Sequence, residues 1–165
     1  MNGAAATLEV SLEVNGERVR RRVEARQHLV DFLRQELGLA GTHLGCEHGV
    51  CGACTVRVDG EPVRGCLMLA VQAEGARVET IEGLSGAGVI GELQRAFHER
   101  NALQCGFCTP GMLIAAAELV ERQPGASRED IRRHLAGNYC RCTGYQAIVD
   151  AVETVCRVHR EGLGP

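Results

Sequence analysis

The sequence predicts an α+β protein in two parts: a strand-rich unit with one helix over residues 1–84, then a small four-helix bundle over residues 85–165. Three observations carry this reading. Apolar and polar residues alternate around Asn15-Gly16 and Asp59-Gly60, and such dipeptides between alternating runs are the strongest short-range hairpin signal. Beyond Leu84 the strand signals stop and apolar residues recur every three or four positions, the helical period. Ser85 to Gly88, "SGAG", is a small, flexible link between the two patterns.

The first strand is read from Leu8, Val10, Leu12 and Val14, and Arg18 to Val23 returns beside it. In "HLVDFLRQELGL", Leu29, Phe32, Leu33 and Leu37 share one helical face, with Gly38 placed to end it. "CTVRVDGEPVRGC" is a second hairpin, and "ARVETIEGL" supplies a last strand. Strands, one helix and an embedded cysteine loop make one α+β unit. In the second part, "VIGELQRAFHER" sets Ile90, Leu93, Ala96 and Phe97 at helical spacing. "PGMLIAAAELVER" opens on Pro110, a first-turn residue. "SREDIRRHLAG" places Ser127 as an N-cap three residues before Asp130. "YQAIVDAVETVCRVHR" repeats Ile148, Val152 and Val155 on one face. Helices with short joints of this kind pack as a bundle.

Charge and composition exclude several classes of function. With 18 Lys+Arg against 21 Asp+Glu, a net of −3, there is no electrostatic case for nucleic acid. Aromatics at 3% leave no stacking platform for bases either. No apolar run approaches the ~20 residues of a membrane span. Glu9 and Glu13 interrupt the N-terminal stretch where a signal peptide would be apolar. "RVRRRVEAR" (Arg18 to Arg26) reads as a solvated strand face, with a docking patch for an acidic partner as the sharper alternative. A cytoplasmic chain is therefore expected, and a reducing compartment counts against structural disulfides.

The nine cysteines then become the main fact. "GCEHGVCGACTV" holds Cys46, Cys51 and Cys54 as C-x4-C-x2-C, and Cys66 follows after eleven intervening residues. That opening is the spacing of plant-type [2Fe–2S] ferredoxins. Two irons bridged by two sulfides need four thiolates, and the cluster's negative charge needs backbone N–H groups aimed at sulfur. Gly45, Gly49 and Gly52 permit that close approach and the positive φ angles it requires, and Ala53 is small for the same reason. The second half holds a C-x2-C in "QCGFCTPG", Cys105 and Cys108, and a C-x-C in "NYCRCTGY", Cys140 and Cys142. Both pairs fall at helix joints, so they can meet at one end of the bundle, where helix N-termini favour negative charge. Two sets of four leave Cys156 over. Zinc is the competing reading, since C-x2-C with a later pair is also a zinc layout. C-x-C is cramped around one tetrahedral ion, however, and C-x4-C-x2-C is poor zinc spacing.

Taken together, "GCEHGVCGACTV", the later Cys66, "LQCGFCTPGM" and "GNYCRCTGY" resemble the iron–sulfur subunit of the molybdenum hydroxylases, the xanthine oxidase/aldehyde oxidoreductase/CO dehydrogenase family, over about Leu8 to His159. The resemblance implies a β-grasp, plant-type ferredoxin-like domain followed by a four-helix-bundle [2Fe–2S] domain. It implies an electron-transfer subunit that is not catalytic alone, paired with a large molybdopterin subunit (often the cytosine dinucleotide) and an FAD-binding medium subunit, as a dimer of heterotrimers. Electrons would pass from the pterin through the Cys105/Cys108/Cys140/Cys142 cluster to the Cys46/Cys51/Cys54/Cys66 cluster and on to FAD. Gln104 would hydrogen-bond the pterin, and Cys142 would be the ligand nearest it. A free-standing two-cluster ferredoxin is the alternative. Many relatives carry lysine where His43 stands.

Other residues have blander readings beside these roles. His48 is expected to face solvent although it lies in the first loop, and Cys156 to pack in the core of the last helix. Arg141, between Cys140 and Cys142, either raises the cluster potential or contacts the partner, or is a solvated cation. Tyr139 and Tyr145 are expected to pack over the thiol loop, and Phe97 and Phe107 to be core or cluster cover. No residue of this chain is assigned to substrate chemistry.

Overall fold

The computed structural model describes residues 6–162, so the outer ends of the two expected units, 1–5 and 163–165, lie outside the described residues. β1 (Thr7–Val14) and β2 (Glu17–Glu24) pair antiparallel in register from Thr7 opposite Glu24 to Val14 opposite Glu17. The turn sits at Asn15-Gly16 with φ of 50° and 85°, the left-handed geometry a two-residue hairpin needs. Val10, Leu12 and Val14 point inward as their alternation requires, but Leu8 is 50% exposed, lying where only β2 flanks the strand. The arginines of β2 line an exposed edge, where Arg20 pairs with Glu9 and Arg22 donates to the Thr7 hydroxyl.

The expected helix forms in two pieces: α1 is a short α turn, Leu29–Asp31, that runs on as a widened π turn over Phe32–Glu36. Leu29, Val30, Phe32 and Leu33 are all fully buried, and Gly38 at φ 70° ends the element. The second hairpin, β3 (Thr55–Val58) with β4 (Glu61–Arg64), turns at Asp59-Gly60. β5 (Arg77–Glu79) completes a mixed sheet of order β2-β1-β5-β3-β4, parallel only between β1 and β5. This sheet with α1 packed across it is the β-grasp arrangement of ferredoxins.

One expectation fails locally. "ARVETIEGL" is strand only to Glu79; Ile81–Leu84 is a helical turn, α2. The link after it is also less free than its small residues imply. Gly86 donates its N–H to Gln94 Oε1 at 2.9 Å, Gln94 donates back to Ser85 Oγ at 2.9 Å, and Ser85 donates to the Ile81 carbonyl at 2.6 Å.

Four longer helices follow: α3 (Gly88–Glu99), α4 (Thr109–Arg122), α5 (Arg128–His134) and α6 (Gln146–Arg160). α5 starts on the expected N-cap, which the structure completes as a capping box, with Asp130 N–H donating to Ser127 Oγ at 3.2 Å and Ser127 N–H to Asp130 Oδ2 at 3.0 Å. α4 is buried on almost every side from Gly111 to Val120, because Ala115, Ala116 and Ala117 let neighbours approach closely. It touches α3, α5 and α6 and also β3 and β4, so one helix serves the bundle and the sheet. Phe97 and Cys156 are buried in the bundle core, as expected of both.

Candidate metal centres

The first thiol set is built by the loop between α1 and β3, closed by Cys66 just after β4. Glu47, Gly49 and Gly52 hold positive φ (58°, 81° and 77°), curling the chain around Cys46. Gly45 serves by closeness instead: a Cβ there would lie 3.2 Å from Cys51 Sγ. The curl points backbone N–H groups inward, and Cys51 N lies 3.4 Å from Cys46 Sγ. The N–H groups of Cys51, His48 and Val50, with the Cys51 thiol, outweigh burial and bring the Cys46 thiol down to about 6. Cys54 and Cys66 form a dry pair, both fully buried against Val30 and Leu44. Burial, then contact with the Cys66 thiol, pushes Cys54 up to about 12.

The second set comes from two helix joints. Cys105 and Cys108 lie between α3 and α4, with Cys108 as the residue preceding α4; Cys140 and Cys142 lie between α5 and α6. The thiols again meet as pairs. Cys142 Sγ and Cys105 Sγ are 3.5 Å apart at an exposed surface. Cys108 is pushed up to about 12 by burial and then by the adjoining Cys140 thiol. At Cys140, burial opposes the thiolate, but the Thr143 hydroxyl, 3.1 Å away, and the Thr143 and Cys142 N–H groups prevail and lower it. Tyr145 braces this loop: its hydroxyl donates to the Asn138 carbonyl at 3.1 Å and accepts the Cys140 N–H at 2.7 Å.

Among the described residues, no group of three or more His, Cys, Asp or Glu side chains is set to hold a metal ion. The thiols approach chiefly two by two, Cys46 with Cys51, Cys54 with Cys66, Cys105 with Cys142, and Cys108 with Cys140, while Cys51 also acts on Cys54 and Cys105 on Cys108. That pattern suits a diiron rhomb, which takes two thiolates on each iron, better than one tetrahedral ion that draws four to a point. The N–H groups around Cys46 and Cys140 supply the positive field that such a cluster's charge requires.

Gln104 and Cys142 sit together, Gln104 Nε2 donating to the Cys142 carbonyl at 3.1 Å, and both are exposed. His48 and Arg141 face solvent. Tyr139 is exposed, so of the two tyrosines only Tyr145 packs into the loop. A surface cleft of about 490 Å³, lined by Arg100, Arg128, Glu153 and Cys156 among others, contains none of the eight paired cysteines.

Three contacts between the loops were not legible in the residue pattern. Tyr139 N–H donates to the Cys51 carbonyl at 2.8 Å. Phe107, between Cys105 and Cys108, leans on Gly45 and stacks with His43. Gly111 of α4 lies so close to loop one that a Cβ would come within 2.2 Å of the Gly52 carbonyl oxygen. Phe107 alone carried a signal, as the large apolar residue in its thiol loop.

Residues 12–81 match the 2Fe-2S iron-sulfur cluster binding domain family, and residues 80–153 match the [2Fe-2S] binding domain family. Caffeine dehydrogenase subunit gamma of Pseudomonas sp. (strain CBB1) is 54% identical over 149 residues, covering 88% of this chain and 89% of that one. The chain belongs to the iron–sulfur subunits of the molybdenum hydroxylases. Another relative of this iron–sulfur subunit, the nicotine 6-hydroxylase small subunit of Paenarthrobacter nicotinovorans, is 52% identical over 145 residues, covering 88% of this chain and 87% of that one. The crystal structure of quinoline 2-oxidoreductase from Pseudomonas putida 86 superposes with a TM-score of 0.86 at 47% identity, covering 94% of the subunit and 98% of that chain. Aldehyde oxidoreductase from Desulfovibrio gigas matches with a TM-score of 0.82 at 40% identity, covering 94% of the subunit but 17% of that longer chain. The subunit is thus an electron-transfer component of an oxidoreductase and carries two [2Fe–2S] binding domains. No helix among the described residues is long and apolar enough to cross a membrane.

Proposed function

We propose that Cys46, Cys51, Cys54 and Cys66 hold one [2Fe–2S] cluster and that Cys105, Cys108, Cys140 and Cys142 hold the other, in the pairs described above. Each cluster, when bound, takes up and releases one electron at a time. The observation that carries this reading is the closure of each quartet as two thiol pairs. Residues 1–84 form the ferredoxin-like unit and residues 85–165 the helical one.

Within this reading the chain's own groups divide the work. The N–H groups around Cys46 offset negative charge on the first thiol set, while Val30 and Leu44 keep water from Cys54 and Cys66. Thr143 and Tyr145 hold Cys140 in place. Gln104 and Cys142, side by side at the surface, face a molybdopterin (as the cytosine dinucleotide) on a large partner subunit. Val50 and Leu67 lie exposed beside the first set and face the FAD-binding medium subunit. The complex is a cytoplasmic dimer of heterotrimers. A free-standing ferredoxin fits less well, because Leu103, Phe107 and Tyr139 would stay bare beside the second set.

Caffeine, nicotine and quinoline, which give these relatives their names, are all nitrogen heterocycles, and we extend that substrate class to the partner subunit of this complex. Purification of the native complex tests the whole reading. About four irons per chain and two distinct EPR signals after dithionite reduction are expected. Zinc in place of iron, or a single signal, overturns it.

A further inference from the structure

The hydrogen bond from Tyr139 N–H to the Cys51 carbonyl, 2.8 Å long, joins a member of the first thiol set to the neighbour of Cys140 in the second. A polar knot surrounds it. Asn138 is 2% exposed; its Nδ2 points to the Gly52 carbonyl at 3.4 Å, and its Oδ1 accepts from Arg64 at 3.2 Å. Arg64 also donates to the Gly137 carbonyl at 2.8 Å and to the Thr55 hydroxyl. That hydroxyl donates in turn to the Gly52 carbonyl at 2.7 Å.

Apart from Gly137, every member of the knot stands next to or one residue removed from a thiol-bearing residue. Gly52 follows Cys51, Thr55 follows Cys54, Arg64 comes two before Cys66, and Asn138 two before Cys140. The packing leaves no slack, since a Cβ on Gly52 would lie 2.6 Å from Asn138 Nδ2 and 2.7 Å from the Gly137 carbonyl oxygen. Apolar packing alone would bind the two loops without fixing their register. Directional bonds to a buried amide and a planar guanidinium fork do fix it.

We propose that Arg64 and Asn138 are positioning residues for electron passage between the two thiol sets: they press Tyr139 N–H onto the Cys51 carbonyl and thereby set the separation and contact of the bound clusters. This rests on the ligand assignment above. One electron crosses, no bond is made or broken, and the Tyr139 proton stays on nitrogen. Arg64 and Asn138 act through the loops they hold.

The test uses the purified complex carrying Asn138→Ala, Arg64→Met or Arg64→Lys, with Arg57→Met as control. Arg57 makes a different contact between sheet and bundle, an ion pair with Glu121 at 2.8 Å. Iron content and the two EPR signals are read first, and a missing signal in the unaltered complex overturns the ligand assignment itself. Spin–spin splitting between the two reduced clusters and amide hydrogen exchange at Tyr139 are read next. With iron retained, Asn138→Ala and Arg64→Met should weaken the splitting and speed Tyr139 exchange several-fold. Arg64→Lys should fall between, because an ammonium cannot reach three partners in one plane, and it serves where Asn138→Ala does not assemble. Arg57→Met should leave both readouts unchanged. Unchanged splitting and exchange in Asn138→Ala or Arg64→Lys, or the same change in Arg57→Met, overturns the proposal.

Discussion

His43 stacks on Phe107 with ring centroids 4.7 Å apart and planes 13° from parallel, and its Nδ1 lies 2.7 Å from the Phe107 carbonyl oxygen. His43 precedes the first thiol loop and Phe107 lies inside the second, so the pair ties the loops together on the side where Gly45 meets the phenyl ring. His43→Ala removes the stack and the polar contact together. It should cost about 1 kcal/mol, seen as a lower melting temperature, with iron content unchanged.

Gly111 is a stricter requirement. A methyl there meets backbone, the Gly52 carbonyl oxygen at 2.2 Å, and backbone cannot swing aside as a side chain does. Gly111→Ala should cost about 3 kcal/mol or more through overpacking. It should push loop one away from α4, with loss of iron from the first set or failure to fold. Gly125→Ala is the control, because its added methyl would meet only Arg160 Cδ at 3.8 Å. Urea denaturation of both variants separates the two cases.

Cys156 is set apart from the other eight thiols by its surroundings. It is buried in the bundle core, and burial, then the Glu153 charge, pushes its thiol up to about 11. Cys156→Ser should leave iron content and both EPR signals intact while costing about 1–3 kcal/mol for a hydroxyl placed among apolar neighbours. Serine at any of the eight paired positions should instead remove iron. Colorimetric iron analysis decides between them.

Glu82 gives the fold an acid limit. Burial opposes its charge, but the Thr80 hydroxyl at 2.6 Å and the Gly41 N–H at 2.7 Å outweigh it and hold its carboxyl below the usual value. A depressed folded pKa contributes stability in full above the unfolded value of about 4.3. That contribution fades as pH falls through the lower folded value. Glu82→Gln should therefore melt lower than the parent at pH 7, and the gap should close on acidification below pH 4, as a pH series of thermal melts would show.

The hairpins were legible because Asn15-Gly16 and Asp59-Gly60 are local signals whose geometry needs no partner. The N-cap at Ser127 is equally local. α2 was hidden for the opposite reason: four residues give no period to read, and the alternation of Ala76 and Val78 just before it reads as strand. The thiol quartets were readable as spacings, but their pairing two by two depends on how separate loops approach. Phe107 was expected as core or cover; it is half exposed and covers the loop at Gly45, which no period could indicate. The buried Asn138 also escaped notice, since an asparagine in a loop ordinarily reads as turn chemistry.

Gln94 staples Ser85 and Gly86 at one end of the junction between sheet and bundle, while Gly52 and Gly111 touch backbone to backbone at the other. A chain fastened at both places resists separation along its seam. Prising the sheet from the bundle would have to break both fastenings.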